Sequence, residues 1–141
     1  MRQLSLFDDA TRLAGAMAAI RAAMRAVAGA SESEGRKALP DKLNELARRS
    51  GIRLTQGSAK GVSKDTLDKW LSPSDTSHPP SILALLAFCA ATGSMEPLRT
   101  AARALGLELM TEEDRKLRDY GKAVRDMEEA RRRKKKLEED L

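Results

Sequence analysis

Apolar residues recur at helical spacing near the start of the chain. The intervals are 4, 3, 4 and 3 residues along the stripe Leu13, Met17, Ile20, Met24 and Val27. This spacing predicts a helix from Thr11 to Val27, capped by Asp8 or Asp9, whose apolar edge packs against another helix. The small, polar run from Ala28 to Lys37 is interrupted by glycines. Because that composition is typical of a flexible linker, the N-terminal helix is predicted to form a separate arm.

A second helix is predicted from Pro40 to about Arg49, because proline suits the first turn of a helix and Gly51 suits its end. The segment that follows, Gly51 to Val62, contains three glycines and is too long for a tight turn between helices. The sequence leaves open whether Ile52 to Thr55 forms a short extended piece or an extra helical turn.

The next helix, Ser63 to Leu71, has the clearest division between its faces. Ser63 is placed to cap the first turn, and Leu67, Trp70 and Leu71 fall at the spacing of one buried edge. The other side carries short polar and charged side chains, namely Lys64, Asp65, Thr66, Asp68 and Lys69. Such a helix can anchor by one edge and offer the other to a major groove, or it can simply be an amphipathic member of a bundle.

Further helices are predicted in the second half of the chain. Proline and small polar residues from Ser72 to Pro80 predict a loop. Ser81 to Thr92 is apolar nearly all round, which predicts a central buried helix. Another helix is predicted to begin at Ser94, with Pro97 in its first turn, and to end at Gly106.

A long helix is predicted from Thr111, because a capping hydroxyl precedes three acidic residues that suit the positive end of the helix dipole. Its apolar stripe has intervals of 3, 4 and 3 residues and consists of Leu117, Tyr120, Val124 and Met127. The same register next meets Arg131 and Lys134, so a long self-sufficient coiled coil is not expected. The basic run Arg131 to Lys136 has three interpretations: a solvated helix end, an auxiliary phosphate contact, or a surface that pairs with acidic residues of a neighbouring chain.

Composition and charge refine this outline. Strand-forming residues are sparse, which favours an all-α protein. Aromatic residues make up only 3% of the chain, so part of the buried area is expected to be completed between copies, as in a homo-oligomer. The formal charge is +5, and six basic against two acidic residues concentrate +4 of it between Arg48 and Lys69. This basic surround is compatible with a nucleic-acid partner.

The chain offers little for catalysis or metal binding. Its one cysteine, Cys89, and one histidine, His78, are too few for a disulfide or a zinc site. Cys89 is expected to be a core side chain and His78 a loop residue, so no nucleophile has a base beside it. No cofactor, metal or enzymatic activity is therefore expected. Charged residues near and within the N-terminal apolar region argue against a signal peptide or membrane span, and the reducing cytoplasm is the expected compartment.

The segment Gly57 to Gly61 lacks the spacing of a nucleotide-binding phosphate loop. Its backbone and Lys60 are instead suited to contacts with DNA phosphates, which fix register without reading sequence. An ordinary flexible loop is the alternative.

The run Val62 to Leu71 is similar to the second helix of many bacterial and phage repressors, whose pattern is V-S-x-x-T-(apolar)-x-(basic)-(apolar)-L. More broadly, Leu39 to Leu109 resembles the small helix-turn-helix DNA-binding regulators of temperate and Mu-like transposable phages. The resemblance implies that Ser63 and Thr66 contact phosphates. It further implies that base edges are contacted by Lys64, Asp65 and Lys69.

We therefore expect an all-α protein with an N-terminal helix and linker over residues 1–38, a helix-turn-helix core over 39–110 and a charged helix over 111–141. The expected function is sequence-specific binding of double-stranded DNA by a phage or prophage transcriptional regulator in the bacterial cytoplasm, as a homo-oligomer joined through one or both apolar stripes. Two alternatives remain, a terminase-like or transposition-accessory DNA-binding oligomer and a helical protein–protein adaptor. The candidate DNA-binding residues are Arg53, Ser58, Lys60, Ser63, Lys64, Asp65, Thr66 and Lys69.

Overall fold

The structure, a computed structural model, describes residues 6–57 and 60–141, with side chains described from Ala10 onward. Within these residues the chain forms six α-helices and no strand, which confirms the prediction of an all-α protein. The helices are α1 (Leu6–Ala28), α2 (Glu34–Ser50), α3 (Lys64–Leu71), α4 (Ile82–Thr92), α5 (Glu96–Arg103) and α6 (Glu112–Glu139). None of the described helices is long and apolar enough to cross a membrane.

The helix α1 packs against α5, α3 and α2, and α1 to α5 belong to one compact unit that reaches Glu108. The N-terminal helix is therefore part of this unit and does not stand apart as an arm. Two members of its apolar stripe, Ile20 and Met24, are buried there. Contacts between copies were expected through this stripe, but of its first four residues, Leu13, Met17, Ile20 and Met24, only Leu13 and Met17 remain exposed.

The helix α2 begins six residues before the position predicted from Pro40. Ser33 has extended backbone angles, and its hydroxyl accepts a hydrogen bond of 3.3 Å from the backbone N–H of Arg36. This cap starts the helix at Glu34, inside the run that was predicted to be a flexible linker, so that prediction is wrong. Pro40 consequently lies within α2 with its ring buried.

The core of the unit lies between α1, α2, α3 and α4, and Leu98 and Ala101 of α5 pack against it. Its fully buried side chains include Met24, Leu43, Leu67, Leu71 and Phe88, which come from all four helices. The prediction of a central buried helix from Ser81 to Thr92 is correct for only one side of α4. One side of α4 is buried, while its other side, Ile82, Leu83 and Leu86, is exposed.

The residues Leu109–Leu141 form the second unit, which consists chiefly of α6. The Thr111 hydroxyl accepts a 3.0 Å hydrogen bond from the Asp114 N–H, and the Asp114 carboxylate accepts one of 3.1 Å from the Thr111 N–H. This reciprocal pair is a capping box, and it confirms the predicted cap. The helix runs for 28 residues, and none of its side chains is buried.

Candidate nucleic-acid interface

The helix α3 has the predicted cap and the predicted buried edge. The Ser63 hydroxyl accepts a 3.1 Å hydrogen bond from the Thr66 N–H, and the two hydroxyl oxygens lie 3.0 Å apart. Leu67, Trp70 and Leu71 are all buried. Because a serine cap satisfies backbone donors of the first turn, this eight-residue helix has a defined start despite its short length.

The entry to α3 is held by the side-chain amide of Asn44, a residue of α2. Its carbonyl oxygen accepts a 2.7 Å hydrogen bond from the Val62 N–H, and its amide group donates one of 2.8 Å to the Val62 carbonyl. Gly61 makes this approach possible, since a Cβ at that position would lie 2.7 Å from the Asn44 oxygen. The segment Ile52 to Thr55, which the sequence left open, forms neither a strand nor a helical turn.

The end of α3 is held by two arginines of α1. Arg25 donates a 2.7 Å hydrogen bond to the Leu71 carbonyl, and Arg21 donates one of 2.6 Å to the Ser72 carbonyl. Arg21 also donates to the carbonyl of Asp75. Only 4% of Arg21 is exposed. The last carbonyls of a helix have no partner within the helix, so these guanidinium groups satisfy acceptors that would otherwise need water.

A third contact comes from the flank. Arg36 of α2 lies 2.7 Å from the Asp68 carboxylate and also donates a 3.2 Å hydrogen bond to the Gly29 carbonyl. The Asp68 carboxylate, which the sequence placed on the flank of the exposed face, is therefore engaged by a cation of the same unit. We refer to the Asn44–Val62 pair, the Arg36–Asp68 pair and the Arg21 and Arg25 contacts as the three tethers of α3.

The outward side of α3 carries the residues predicted to contact base edges. Lys64 and Asp65 are exposed, and Lys69 is partly exposed. The Lys69 amine lies 3.3 Å from the Asp65 carboxylate, one helical turn away. These two side chains thus neutralise each other at the surface, whereas Lys64 has no acidic partner among the described residues.

The basic residues before α3 differ in their availability. Arg48 and Arg49 both pair with Glu45, at 2.7 and 3.0 Å, so one carboxylate offsets one of their two positive charges. Arg53 is exposed and donates to the Gly57 carbonyl. Lys60 is exposed, and the described part of the chain holds no acidic partner for it. Ser58, also a candidate, lies outside the described residues.

The remaining reactive side chains lie away from this face, as predicted. Cys89 is in the core, and burial raises the pKa of its thiol. His78 is an exposed loop residue with its ring nitrogen 3.1 Å from the Asp75 carboxylate. Partial burial of that carboxyl opposes ionisation, yet hydrogen bonds from the backbone and ring of His78 and from the Ser77 N–H hold its pKa below the ordinary value. No cluster suited to a metal ion occurs within the described residues.

Comparison of the chain with protein-family models, with curated proteins and with solved structures found no match.

The structure brings five of the eight candidates together, since Ser63, Lys64, Asp65, Thr66 and Lys69 all belong to α3 or its cap. The tethers of α3 were missed by sequence reasoning. The only signal for the α1 contacts was the pair of arginines, four residues apart, inside an otherwise apolar stretch from Leu13 to Ala28.

Proposed function

We propose that this chain is a non-enzymatic, sequence-specific double-stranded DNA-binding protein that inserts α3 into the major groove. In this proposal it acts as a phage or prophage transcriptional regulator in the bacterial cytoplasm. One observation carries the proposal. Contacts from other helices hold α3 at its start, its end and one flank, while the side that carries Lys64, Asp65 and Lys69 faces outward. A helix that reads bases must keep its register, and side chains locked by other elements supply that rigidity.

The chemistry of the outward side fits a G·C base pair. In the major groove a G·C pair presents two acceptors on guanine, N7 and O6, and one donor on cytosine, N4. Lys69 is a donor and Asp65 is an acceptor, and their charged atoms lie 3.3 Å apart. Each of the two side chains can bond to one base while the two remain adjacent, so each charge still lies beside its opposite in the groove.

The residues around this pair suit the phosphate backbone. Lys60 and Lys64 are exposed cations on either side of the Ser63 cap, and neither is neutralised by an acid of the described chain. Arg53 lies earlier on the same approach to α3. Each lysine that neutralises a phosphate releases condensed counterions, which makes affinity fall with salt.

The test is a double substitution, Lys64→Ala with Lys69→Ala, measured by gel shift or fluorescence anisotropy on a site recovered by in-vitro selection from random DNA. In this proposal Lys69 contacts a base, and Lys64, which the resemblance assigned to a base edge, contacts a phosphate. Loss of these two contacts should weaken binding by at least tenfold at moderate salt, since a base contact contributes about 1–3 kcal/mol. The slope of log affinity against log salt should become shallower by about 0.9 for the lost phosphate contact.

The control removes the same charge elsewhere, with Lys42→Ala on α2 and Lys122→Ala on α6, and should retain affinity within about threefold. Equal losses in both double variants would show that only the overall charge matters and would refute reading by α3. Absence of any salt-dependent DNA affinity in the unmodified chain would contradict the proposal outright and favour the helical adaptor.

A further inference from the structure

The helix α6 has an apolar stripe that nothing in its own unit covers. Leu117, Tyr120 and Met127 are 64%, 71% and 53% exposed, and no side chain of the helix is buried. Isolated helices gain little stability from propensity alone, and tertiary packing normally supplies the remainder. The stripe of α1, the other candidate for joining copies, already has Ile20 and Met24 in the core of its unit.

The helix α6 carries charges of both signs along its length and ends in Glu138 and Glu139, but the positions that continue the spacing of its stripe are an acid before it, Glu113, and a base after it, Arg131. Its first turn contains Glu112, Glu113 and Asp114, and its later part contains the basic run Arg131 to Lys136. The apolar stripe lies between these two segments. A partner that covers the stripe along its length therefore meets an acid in line with the stripe at one end, Glu113, and a base in line with it at the other, Arg131.

We infer that α6 pairs in antiparallel orientation with α6 of a second copy of this chain. A second copy carries the charges that the antiparallel arrangement requires. With the two stripes in register, Leu117 of one copy lies beside Met127 of the other, and Tyr120 lies beside Val124. The same register places Arg131, the residue that follows the stripe at its spacing, beside Glu113 of the other copy. The residue that ends the apolar stripe therefore meets an acid of the other chain.

A parallel pair would have the opposite electrostatic outcome. It would set the six bases Arg131 to Lys136 against the same six bases and the three acids against the same three acids, and like charges facing each other destabilise a helix pair. The antiparallel pair also explains how a stripe of about three turns suffices, because charge attraction extends the contact beyond both of its ends. This inference does not rest on DNA binding, since it uses only the second unit.

The association is tested by sedimentation equilibrium of the full chain, with Val124→Glu as the disrupting variant. The unmodified chain should form a dimer, and Val124→Glu should raise its dissociation constant more than tenfold. Val124 is not buried within the folded chain, so circular dichroism should show little loss of α1 to α5. The matched control is Lys122→Glu, an exposed position on the same helix away from the stripe, which should change the constant by less than threefold.

The orientation is tested by a spin label at Lys136→Cys, read by pulsed electron resonance in the dimer. The native Cys89 is 2% exposed, so the introduced thiol is the one that reacts. At 1.5 Å rise per residue, antiparallel helices hold the two labels more than about 40 Å apart, whereas parallel helices hold them within about 20 Å. The inference would be overturned by a monomeric chain, by a short distance between the two labels, or by equal dissociation constants for Val124→Glu and Lys122→Glu. None of these results bears on DNA affinity.

Discussion

The buried guanidinium of Arg21 offers the sharpest test of how α3 is held. The substitution Arg21→Met keeps an apolar stem in α1 but removes the donor to the carbonyls of Ser72 and Asp75. A hydrogen bond from a charged donor contributes about 1.5–3 kcal/mol, and a buried acceptor left unpaired costs about 1–3 kcal/mol. Two effects offset part of this loss. The variant no longer buries a charged group, and it removes the Nε of Arg21, a buried donor that already lacks a partner.

The balance of these opposing effects is a destabilisation of about 2 kcal/mol. At a denaturant slope of about 1–3 kcal/mol per molar for a small domain, the urea midpoint should fall by about 1 M. The chain has one tryptophan, Trp70, which is buried in α3. Its fluorescence therefore follows unfolding at the element that Arg21 holds, with no signal from α6.

The matched control is Arg12→Met, which makes the same chemical change at an exposed position of α1. Surface substitutions away from special contacts change stability by less than about 0.5 kcal/mol. If Arg21→Met unfolds at the same urea concentration as Arg12→Met, the contacts to the end of α3 contribute nothing to stability, and the tether is refuted.

Two further predictions concern the entry to α3 and the loop after it. Gly61→Ala should destabilise the unit by about 1–3 kcal/mol in urea unfolding, because its Cβ would lie 2.7 Å from the Asn44 oxygen, and the Asn44 side chain can move away only by giving up its hydrogen bonds with Val62. Gly35→Ala, at a helical position with open space, should instead stabilise the unit by up to about 1 kcal/mol. Two changes of the same sign would contradict this account. Because hydrogen bonds lower the pKa of Asp75, its contribution to stability is present at neutral pH and is lost as pH falls through that lowered pKa. On acidification below about pH 5, Asp75→Asn should therefore lose less stability than the unmodified chain. The control is Asp41→Asn, a change at an exposed position. Equal losses of stability in the two variants would contradict a lowered pKa for Asp75.

The parts of the fold that could be predicted from sequence are those set by local chemistry. The buried edge of α3 follows from three apolar residues at helical spacing, and the starts of α3 and α6 follow from the hydroxyls of Ser63 and Thr111. In each case the deciding interaction joins residues within one helical turn. A repeat of 3.6 residues and a capping side chain are sufficient information for such elements.

The start of α2 shows how two valid local rules can compete. Proline favours the first turn of a helix, and that rule places the start at Pro40. Ser33 is also a good cap, and its hydrogen bond to the Arg36 N–H starts the helix earlier. The deciding contacts are distant in sequence. Arg36, in the part of α2 that precedes Pro40, reaches Asp68, and Leu39 in the same part is buried in the core.

The tethers of α3 could not be predicted, because they join residues 18 to 54 positions apart. The sequence contains the residues that form these tethers, but it favours other interpretations of them. Asn44 is one polar residue of an amphipathic helix, and Arg21 and Arg25 interrupt an apolar stripe. Only the packing of α1 beside α3 turns those arginines into donors for the end of another helix.

These tethers also resolve the difficulty posed by the long approach to α3. In a minimal helix-turn-helix, a short turn fixes the second helix relative to the first. Here the approach from Gly51 is too long for that purpose, and the side chain of Asn44 fixes its last residue, Val62, directly to α2. The helix α3 is therefore held by side-chain contacts with other helices, and its placement does not depend on the length of the approach. In the proposed complex with DNA, these contacts are what keep α3 in register against the bases.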